Sequence, residues 1–374
     1  MINIDPSQSC FLFGARGTGK TFWIRHFLPH CVYIDLLDDE IYRKLLANPA
    51  SLSTWIPPGN QWPIVIDEIQ KIPPLLDEVH RQIEHFGRKF ILTGSSARKL
   101  RRGGANLLAG RALVNECYPL TAHEIGEGFD VRERIKYGCL PAVLDHSDPG
   151  RFLAAYVNTY LKEEVMAEGI VRNLANFARF MEAASFSQAQ ILNMATVARD
   201  CGVERKVVEQ YFQILEDLLL AVRLPVFTRR AKRNMTTHPK FFFFDVGVYR
   251  ALRPSGPLDE PEIIEGTALE SLIFQEIRAL NHYQRWEYDL YTWRSRTKLE
   301  VDLILYGPRG LHAIEIKRSG RLRDEDLKGL RAFLEDYPAA RGHLVYQGEK
   351  NLYYDRLQVR PLPEFLNNLE EILA

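Results

Sequence analysis

The fold is decided near the start of the chain, where an apolar run leads into a glycine-rich loop. The stretch reads Ser9-Cys10-Phe11-Leu12-Phe13, then Gly14-Ala15-Arg16-Gly17-Thr18-Gly19-Lys20-Thr21. This is the pattern G-x-x-x-x-G-K-T after a strand and before a helix, the context that a phosphate-binding P-loop requires. Glycines let the loop turn its N–H groups toward phosphate, and the helix N-terminus favours negative charge. The stretch therefore predicts a nucleotide site at residues 14–21, with Lys20 on the β- and γ-phosphates and Thr21 on Mg²⁺.

A second apolar run ends in two acidic residues. Residues 63–66 read Pro-Ile-Val-Ile, and Asp67 and Glu68 follow directly. Continuous apolar runs are typical of buried parallel strands, whose carboxyl ends carry ligands in α/β sheets. In this Walker B pattern we expect Asp67 to hold Mg²⁺, largely through water, and Glu68 to polarise the water that attacks the γ-phosphate. ATP and Mg²⁺ are the predicted cofactors, and ATP hydrolysis is the predicted reaction.

Two further residues are candidates for the hydrolysis chemistry. Ser95 follows an apolar strand and is our preferred sensor of the γ-phosphate, with Thr93 and a simple helix cap as alternatives. Arg111 lies just before the apolar run that begins at Ala112, where AAA+ ATPases place an arginine finger that reaches a neighbouring subunit. The alternative for Arg111 is a surface salt bridge. As a finger it predicts a homo-oligomer, with a ring or hexamer among the possible assemblies.

The composition is that of an ordinary globular protein. The chain has 374 residues, of which 46% are hydrophobic and 26% charged, and this length suggests two to four domains. The 48 Lys and Arg balance the 48 Asp and Glu, so a nucleic-acid surface would have to be a local basic patch. The five cysteines are scattered, and no apolar run is long enough for a membrane span. We expect reduced thiols, a cytoplasmic location, no zinc site and no membrane contact.

The middle of the chain begins with a segment that reads as mostly helical. Residues 118–188 have apolar residues at helical spacing and take the place of an AAA+ lid. Arg151, Arg172 and Arg179 are all available as a second sensor arginine. The spacing alone does not choose among them.

Residues 189–252 read as a winged helix. Helices are predicted over 191–200 and 204–222 with a short turn between them, which is the helix-turn-helix arrangement. Two strands within residues 224–244, joined by the basic run 228–234, would form a wing on the phosphate backbone of DNA. A solvated basic loop and a protein-docking module are the alternatives.

The last domain, residues 262–374, carries acidic residues and a lysine on a predicted hairpin. Asp302 lies on its first strand, and the two-residue strand period places Glu315 and Lys317 on one face of the second. Two carboxylates beside a lysine are the constellation of PD-(D/E)XK nucleases, in which the carboxylates hold Mg²⁺ and the lysine acts on the attacking water. Glu270, on the preceding predicted helix, matches an acidic residue that such folds often place there. The alternatives are exposed acid–lysine pairs or a binding platform that does not cleave.

Several motifs together resemble a known family. They are Asp67-Glu68-Ile69-Gln70-Lys71-Ile72-Pro73, Thr93-Gly94-Ser95-Ser96, Leu108-Ala109-Gly110-Arg111, Tyr118-Pro119-Leu120-Thr121 with Glu124, Gly138-Cys139-Leu140-Pro141, and His238-Pro239-Lys240-Phe241-Phe242-Phe243-Phe244-Asp245-Val246-Gly247. The chain resembles, over nearly its whole length, the prokaryotic predicted AAA+ ATPases that carry a C-terminal domain of unknown function related to PD-(D/E)XK nucleases. Cys139 departs from the Gly-Gly that this family usually shows.

We therefore predict an α/β protein of four parts. A P-loop AAA+ core with a parallel sheet (1–117) and a helical lid (118–188) precede a winged helix (189–252) and a PD-(D/E)XK nuclease-like domain (262–374). These parts predict an ATPase that couples hydrolysis to binding and remodelling or translocation of DNA, with branched or damaged DNA among its substrates. The alternatives are an ATP-gated, metal-dependent DNA endonuclease and a nucleotide-dependent signalling switch or protein scaffold.

Overall fold

The fold is described by a computed structural model and comprises two compact units. The structure describes residues 2, 4–98, 100, 108, 110–161, 165–166, 173–257 and 259–373. The first unit contains residues 1–119, 140–142 and 213–220, and the second contains residues 120–139, 143–212 and 221–374. No helix among the described residues is both long and apolar enough to cross a membrane.

The first unit is built on a five-stranded parallel sheet. Its strands are β1 (Ser9–Phe13), β2 (Val32–Asp35), β3 (Ile64–Asp67), β4 (Phe90–Gly94) and β5 (Ala112–Glu116), in the order β2-β3-β4-β1-β5. Strand β4 therefore lies between the strand before the glycine-rich loop and the strand that ends in Asp67. Because all strands are parallel, their carboxyl ends meet at one edge, which is where such sheets bind ligands.

Helices cover both faces of this sheet. They include α1 (Lys20–Phe27), α2 (Asp39–Ala47) and α3 (Leu75–Phe86), with 3₁₀ turns at Pro49–Trp55 and Ile69–Lys71. Alternate residues of β1 enter opposite hydrophobic clusters, with Phe11 and Phe13 in one and Cys10 and Leu12 in the other. Burial on both faces explains why β1 reads as a continuous apolar run.

Beyond residue 120, further helices lie before, between and after the strands of the two remaining sheets. The helices are α4 (Ala122–Ile125), α5 (Val131–Tyr137), α6 (Pro141–Leu144), α7 (Pro149–Ala155), α8 (Leu174–Ser185), α9 (Met194–Cys201), α10 (Arg205–Asp217), α11 (Val246–Leu252), α12 (Pro261–Tyr283), α13 (Lys328–Asp336), α14 (Leu362–Asn367) and α15 (Leu369–Leu373). Helix α7 continues as a π-helix over Tyr156–Leu161.

A small antiparallel sheet in the second unit has the order β6-β8-β7, formed by β6 (Gln190–Ile191), β7 (Ala221–Leu224) and β8 (Lys240–Phe243). The predicted helix over 204–222 is wrong at its end, because α10 stops at Asp217. Leu219 has a φ of 59°, which a helix does not allow, and strand β7 begins two residues later.

The predicted wing differs from the structure more than the predicted helix does. Residues 225–239, the β7–β8 connection, leave the small sheet and dock on the next one. Val226 forms a bridge to Thr292, and Met235 forms one to Ser295. The ring of Phe227 is buried in the core of that larger sheet. Burial of this aromatic side chain explains why the connection does not form a projecting basic hairpin.

The larger sheet is mixed, with the order β13-β14-β12-β11-β10-β9. Its strands are β9 (Asp289–Arg294), β10 (Glu300–Gly307), β11 (Gly310–Lys317), β12 (Arg341–Tyr346), β13 (Leu352–Tyr354) and β14 (Leu357–Pro361). The predicted hairpin is confirmed, since β10 and β11 are antiparallel and Gly307 faces Gly310. The β9–β10 pairing shifts register between Val301 and Ile304, and such bulges redirect side chains.

Asp245 joins two of the motifs on which the family resemblance rests. Its fully buried carboxylate accepts hydrogen bonds from the N–H groups of Cys139 at 2.8 Å and Val248 at 3.0 Å. Burial raises the pKa of Asp245 to about 6, although these N–H bonds act to lower it. A Cβ atom at Gly138 would lie 2.2 Å from this carboxylate, and one at Gly247 would lie 2.1 Å from a backbone oxygen. Both glycines therefore serve close packing.

Candidate nucleotide site and lysine–carboxylate cluster

Residues 14–21 turn between β1 and α1. Gly17 and Gly19 have φ values of 83° and 92°, which glycine adopts without strain. Lys20 begins α1 and folds back over the loop, where its Nζ donates to the carbonyl oxygens of Gly14 at 2.7 Å and Ala15 at 3.2 Å. Phosphate oxygens in the loop would replace these two acceptors. The described geometry thus suits an anion beside Lys20.

Asp67 is held by hydroxyl groups from three elements. One carboxylate oxygen accepts from Thr21 Oγ1 at 3.4 Å and from the Tyr33 hydroxyl, and the other accepts from Thr93 Oγ1. Burial and the adjacent Asp67 raise the pKa of Tyr33, so its hydroxyl keeps its proton and donates. The hydroxyl of Thr21 and the carboxylate of Asp67 are the oxygen donors that Mg²⁺ prefers, and their closeness fits that ion. Tyr33, which comes from the neighbouring strand β2, was not among the predicted site residues.

Gln70 links Glu68 to Ser95. Its side-chain Nε2 donates to the Glu68 carboxylate and lies 3.4 Å from Ser95 Oγ. Glu68 has a φ of 61°, and its N–H donates to Thr93 Oγ1 at 3.3 Å. A Cβ at Gly94 would lie 2.3 Å from Gln70 Oε1, so glycine there makes room for the amide. Two predicted site residues are thus brought together by a third, to which the sequence analysis gave no role.

Arg111 is paired within its own subunit. Its Nε donates to the carboxylate of Glu84 on α3, and the Arg111 side chain is 41% exposed. This pair corresponds to the salt bridge that we named as the alternative, while a role in a neighbouring subunit's site stays a prediction. Of the candidate second sensors, Arg151 and Arg179 are exposed, and Arg172 lies outside the described residues.

Lys240, the first residue of β8, lies among carboxylates of the second unit. Its Nζ is 2.5 Å from Glu270 Oε1, 3.0 Å from Asp302 Oδ1 and 3.4 Å from Glu300 Oε1. We call these four residues the lysine–carboxylate cluster. Burial alone would lower the pKa of Lys240, which is 1% exposed, but attraction to the three carboxylates raises it well above its ordinary value. The cluster therefore contains an ammonium ion.

Glu315 and Lys317 lie beside this cluster and pair with each other. Lys317 Nζ donates to Glu315 Oε1 at 2.7 Å, and Asp302 accepts from the N–H of Ile316 at 2.9 Å. Burial and nearby Asp302 raise the pKa of Glu315 to about 8, although Lys317 acts to lower it. The other oxygen, Glu315 Oε2, is buried and has no hydrogen-bond partner among the described residues.

The predicted metal ligands do not form a metal-holding group in this structure. Glu270, Asp302 and Glu315 come from neighbouring elements, but the part of the chain that the structure describes holds no group of three or more His, Cys, Asp or Glu residues placed to bind a metal. An ammonium ion stands between two of them. Lys240 and Glu300 were not among the predicted site residues, although a lysine beside four phenylalanines indicates a buried cation that needs acidic partners.

The basic run of the β7–β8 connection is also paired. Arg229 lies 3.3 Å from Asp289. Arg233 contacts Asp336 at 2.7 Å and Glu335 at 3.0 Å. Two of the arginines expected on a DNA-binding wing therefore face carboxylates of the second unit.

Three stretches of the chain match known domain families. Residues 6–126 match the AAA domain family, and residues 128–259 and 265–365 match two families that are described as domains of unknown function, DUF8612 and DUF4143. The AAA family implies a nucleotide and usually Mg²⁺.

The proteins similar to the chain include an archaeal relative and two solved structures. The chain is 23% identical over 339 residues to the uncharacterised protein MJ1544 of Methanocaldococcus jannaschii, covering 82% of this chain and 74% of that protein. The structure of the Aeropyrum pernix ORC1 protein in complex with DNA is 15% identical, with a TM-score of 0.28, over 66% of this chain and 86% of that one. The protein VC1899 from Vibrio cholerae is 14% identical, with a TM-score of 0.25, over 98% and 97% of the two chains. The domain matches and the archaeal relative support a prokaryotic AAA-type ATPase family with a C-terminal domain of unknown function.

Proposed function

We propose that the chain binds MgATP at residues 14–21 and hydrolyses it with Asp67 and Glu68. The observation that carries this proposal is the approach of Thr21 Oγ1 to Asp67 at 3.4 Å, beside a loop into which Lys20 folds. The match of residues 6–126 to the AAA domain family supports it.

In this proposal each side chain has a separate task. Lys20 and the loop N–H groups neutralise and position the phosphates, while Thr21 and Asp67 hold the metal. Mg²⁺, when bound, neutralises charge that develops between the β- and γ-phosphates. Glu68 orients and polarises the attacking water, and Ser95 senses the γ-phosphate. Phosphoryl transfer depends mostly on such positioning and charge stabilisation.

Phosphate release and the binding of a fluorescent ATP analogue test the proposal. Lys20→Ala should lose both binding and turnover. Glu68→Gln should bind the analogue like the wild type and lose about 10²–10⁴-fold in turnover, because only the group acting on water is removed. Glu40→Gln, an exposed residue on α2, is the control and should leave both unchanged. Wild-type turnover in Glu68→Gln would contradict the assignment.

We further propose DNA as the partner to which hydrolysis is coupled, with residues 189–252 acting as a winged helix. The support is a pair of helices, α9 and α10, joined by a turn at Gly202 whose φ is 67°, with Arg205 and Lys206 exposed at the start of α10. Exposed cations at a helix start suit phosphate contacts, which dominate the affinity for DNA.

Gel retardation and ATPase stimulation at low salt, with duplex and branched DNA, test this proposal. Charge reversal of Arg205 and Lys206 should weaken both effects. Charge reversal of Arg43 and Lys44, an exposed pair on α2, is the matched control. Absence of both retardation and stimulation in the wild type would refute a DNA role.

We also propose assembly as a homo-oligomer in which Arg111 leaves Glu84 and reaches a neighbouring site. Light scattering with and without ATP analogue measures the assembly. Adding inactive Glu68→Gln subunits should restore turnover to Arg111→Ala subunits only if Glu68→Gln supplies the finger in trans. No recovery on mixing would favour the simple salt bridge.

A nucleotide-dependent switch or protein scaffold is the second candidate. The observation that favours it is the pairing of Arg229 and Arg233 with Asp289, Glu335 and Asp336, which removes these cations from a DNA surface. A switch should hydrolyse ATP slowly and bind a protein, so the DNA experiment separates it from the first candidate.

The PD-(D/E)XK-like fold of residues 262–374 remains part of the proposal. The antiparallel pair β10–β11, the parallel neighbour β12 and the convergence of Asp302, Glu315 and Lys317 support it. Cleavage of DNA by this domain would further require a divalent metal at its carboxylates.

A further inference from the structure

Two of the three carboxylates that would hold a nuclease metal, Glu270 and Asp302, contact a buried lysine instead. We infer that Lys240 is the resident cation of the lysine–carboxylate cluster, standing in the place of a divalent metal, so that the second unit binds no metal there and does not cleave DNA. The inference concerns the second unit alone and holds whether or not the first unit hydrolyses ATP.

Lys240 Nζ occupies a position surrounded by three carboxylates. An ammonium group has three N–H donors, and Lys240 Nζ lies within 3.4 Å of Glu270, Asp302 and Glu300. Mg²⁺ and Mn²⁺ would need oxygen ligands close to the same point. Lysine and metal therefore compete for one position.

Lys240 is held in place by its strand and by burial. It lies on the central strand of the small sheet, where it faces Ile191 on one side and Leu224 on the other. Its side chain is 1% exposed, so a metal that displaced it would leave a buried cation without its partners. Such an unpaired buried charge is strongly unfavourable.

The neighbouring carboxylates pair with other cations as well. Glu300 also contacts Arg294 Nη1 at 3.1 Å, and Glu315 pairs with Lys317 at 2.7 Å. Little negative charge is left to attract a divalent ion. Glu315 Oε2 has no hydrogen-bond partner among the described residues, and Glu270 Oε1 contacts only Lys240 as an ion pair. A metal could still use Glu315 Oε2, so the experiment includes Glu315→Gln.

Titration of the nucleotide-free full chain with Mn²⁺, followed by electron paramagnetic resonance, tests the inference. The wild type should bind no Mn²⁺ at the cluster up to about millimolar metal. Lys240→Ala should bind one Mn²⁺ per chain at least about tenfold more tightly than the wild type, because it frees three carboxylates. Adding Asp302→Asn should abolish that gain, whereas adding Thr21→Ala should not, which separates the cluster from the P-loop.

Three results would overturn the inference. One is a wild-type Mn²⁺ site that disappears in Asp302→Asn or Glu315→Gln. Another is a folded Lys240→Ala protein that gains no Mn²⁺. Lys240→Met keeps the aliphatic stem and replaces the alanine variant if that one fails to fold. The wild-type titration needs neither variant, because a wild-type Mn²⁺ site at the cluster is enough to overturn the inference. Cleavage of plasmid DNA by the wild type with Mn²⁺, lost in Lys317→Ala, would also refute it.

Discussion

Gln70 determines how the carboxylate of Glu68 is oriented. Its amide donates to Glu68 and lies next to Ser95, so it connects the side chain proposed to act on water with the one proposed to sense phosphate. We predict that Gln70→Ala lowers kcat about tenfold with a change in nucleotide Kd of less than about twofold, since effective catalysis depends on fixed geometry. Phosphate release and analogue binding measure the two quantities.

Gln61→Ala is the matched control for this prediction, because Gln61 is exposed. A purely structural role of Gln70 would lower stability and affinity together. Rescue by Gln70→Asn is not expected, because the shorter side chain does not reach both partners. A wild-type kcat in Gln70→Ala would contradict a positioning role.

Candidate site residues can be read from the sequence where they lie in one continuous stretch. Residues 14–21 form such a stretch, and Asp67 with Glu68 forms another. Tyr33 and Lys240 reach their sites from separate strands, and only the pairing of those strands brings them there. The apolar surroundings of Lys240 are legible in the sequence, but its partners 30 to 62 positions further on are not.

At the scale of elements, Asp245 anchors the start of α11 to the turn after α5. It accepts two backbone hydrogen bonds in a fully buried place. Asp245→Ala should cost about 3 kcal/mol in the free energy of unfolding, because two buried N–H groups lose their acceptor. Urea unfolding near neutral pH measures this cost.

Asp148→Ala supplies the comparison, since Asp148 caps α7 through the N–H of Arg151 at 3.0 Å but is exposed. Loss of an exposed cap costs about 1 kcal/mol. Equal costs for the two variants would show that burial of Asp245 adds nothing.

Elements were predictable where local patterns agree with their surroundings. The β10–β11 hairpin has alternating residues and a glycine turn, and it forms as expected. The end of α10 and the path of the β7–β8 connection depend on Leu219 and Phe227, whose conformations are set by packing against distant residues. Local propensity cannot report such contacts.

At the scale of the whole molecule, Glu276 should make stability depend on pH. This residue on α12 is 3% exposed and accepts from the N–H of Ala122 at 3.0 Å. Burial raises its pKa from 4.5 to about 8, although that hydrogen bond acts to lower it. Because the folded state holds the proton more tightly, the stabilisation is complete below pH 4.5 and is lost as the pH rises toward 8.

Glu276→Gln removes this titration, so the wild type should lose stability relative to the variant as pH increases. The difference in unfolding free energy should change by about 2–4 kcal/mol between about pH 5 and about pH 8. Glu371 is exposed, so Glu371→Gln is the control. Its unfolding free energy should change with pH in the same way as that of the wild type. A difference that is constant with pH would show that Glu276 is ionised throughout.

The α/β fold class of the first unit could be predicted from its apolar runs, because buried parallel strands have continuous apolar sequences. The order of its strands did not, since order is decided by pairings between β1, β4 and β5 that are distant in sequence. The acidic residues Glu270 and Asp302 could be predicted as neighbours from the sequence. The position of Lys240 between them could not, because it depends on how the small sheet packs within the second unit.

The β7–β8 connection limits which segments of this protein can be exchanged by recombination. Phe227 packs in a core with Trp293, Phe333 and their neighbours, although strand β8 and helices α11 and α12 lie between Phe227 and Trp293 in the chain. A gene fragment that begins after residue 260 would encode the large sheet with a hole at its centre. Recombination that exchanged residues 262–374 alone would therefore leave their core without Phe227. Selection should favour joint inheritance of the β7–β8 connection and the larger sheet.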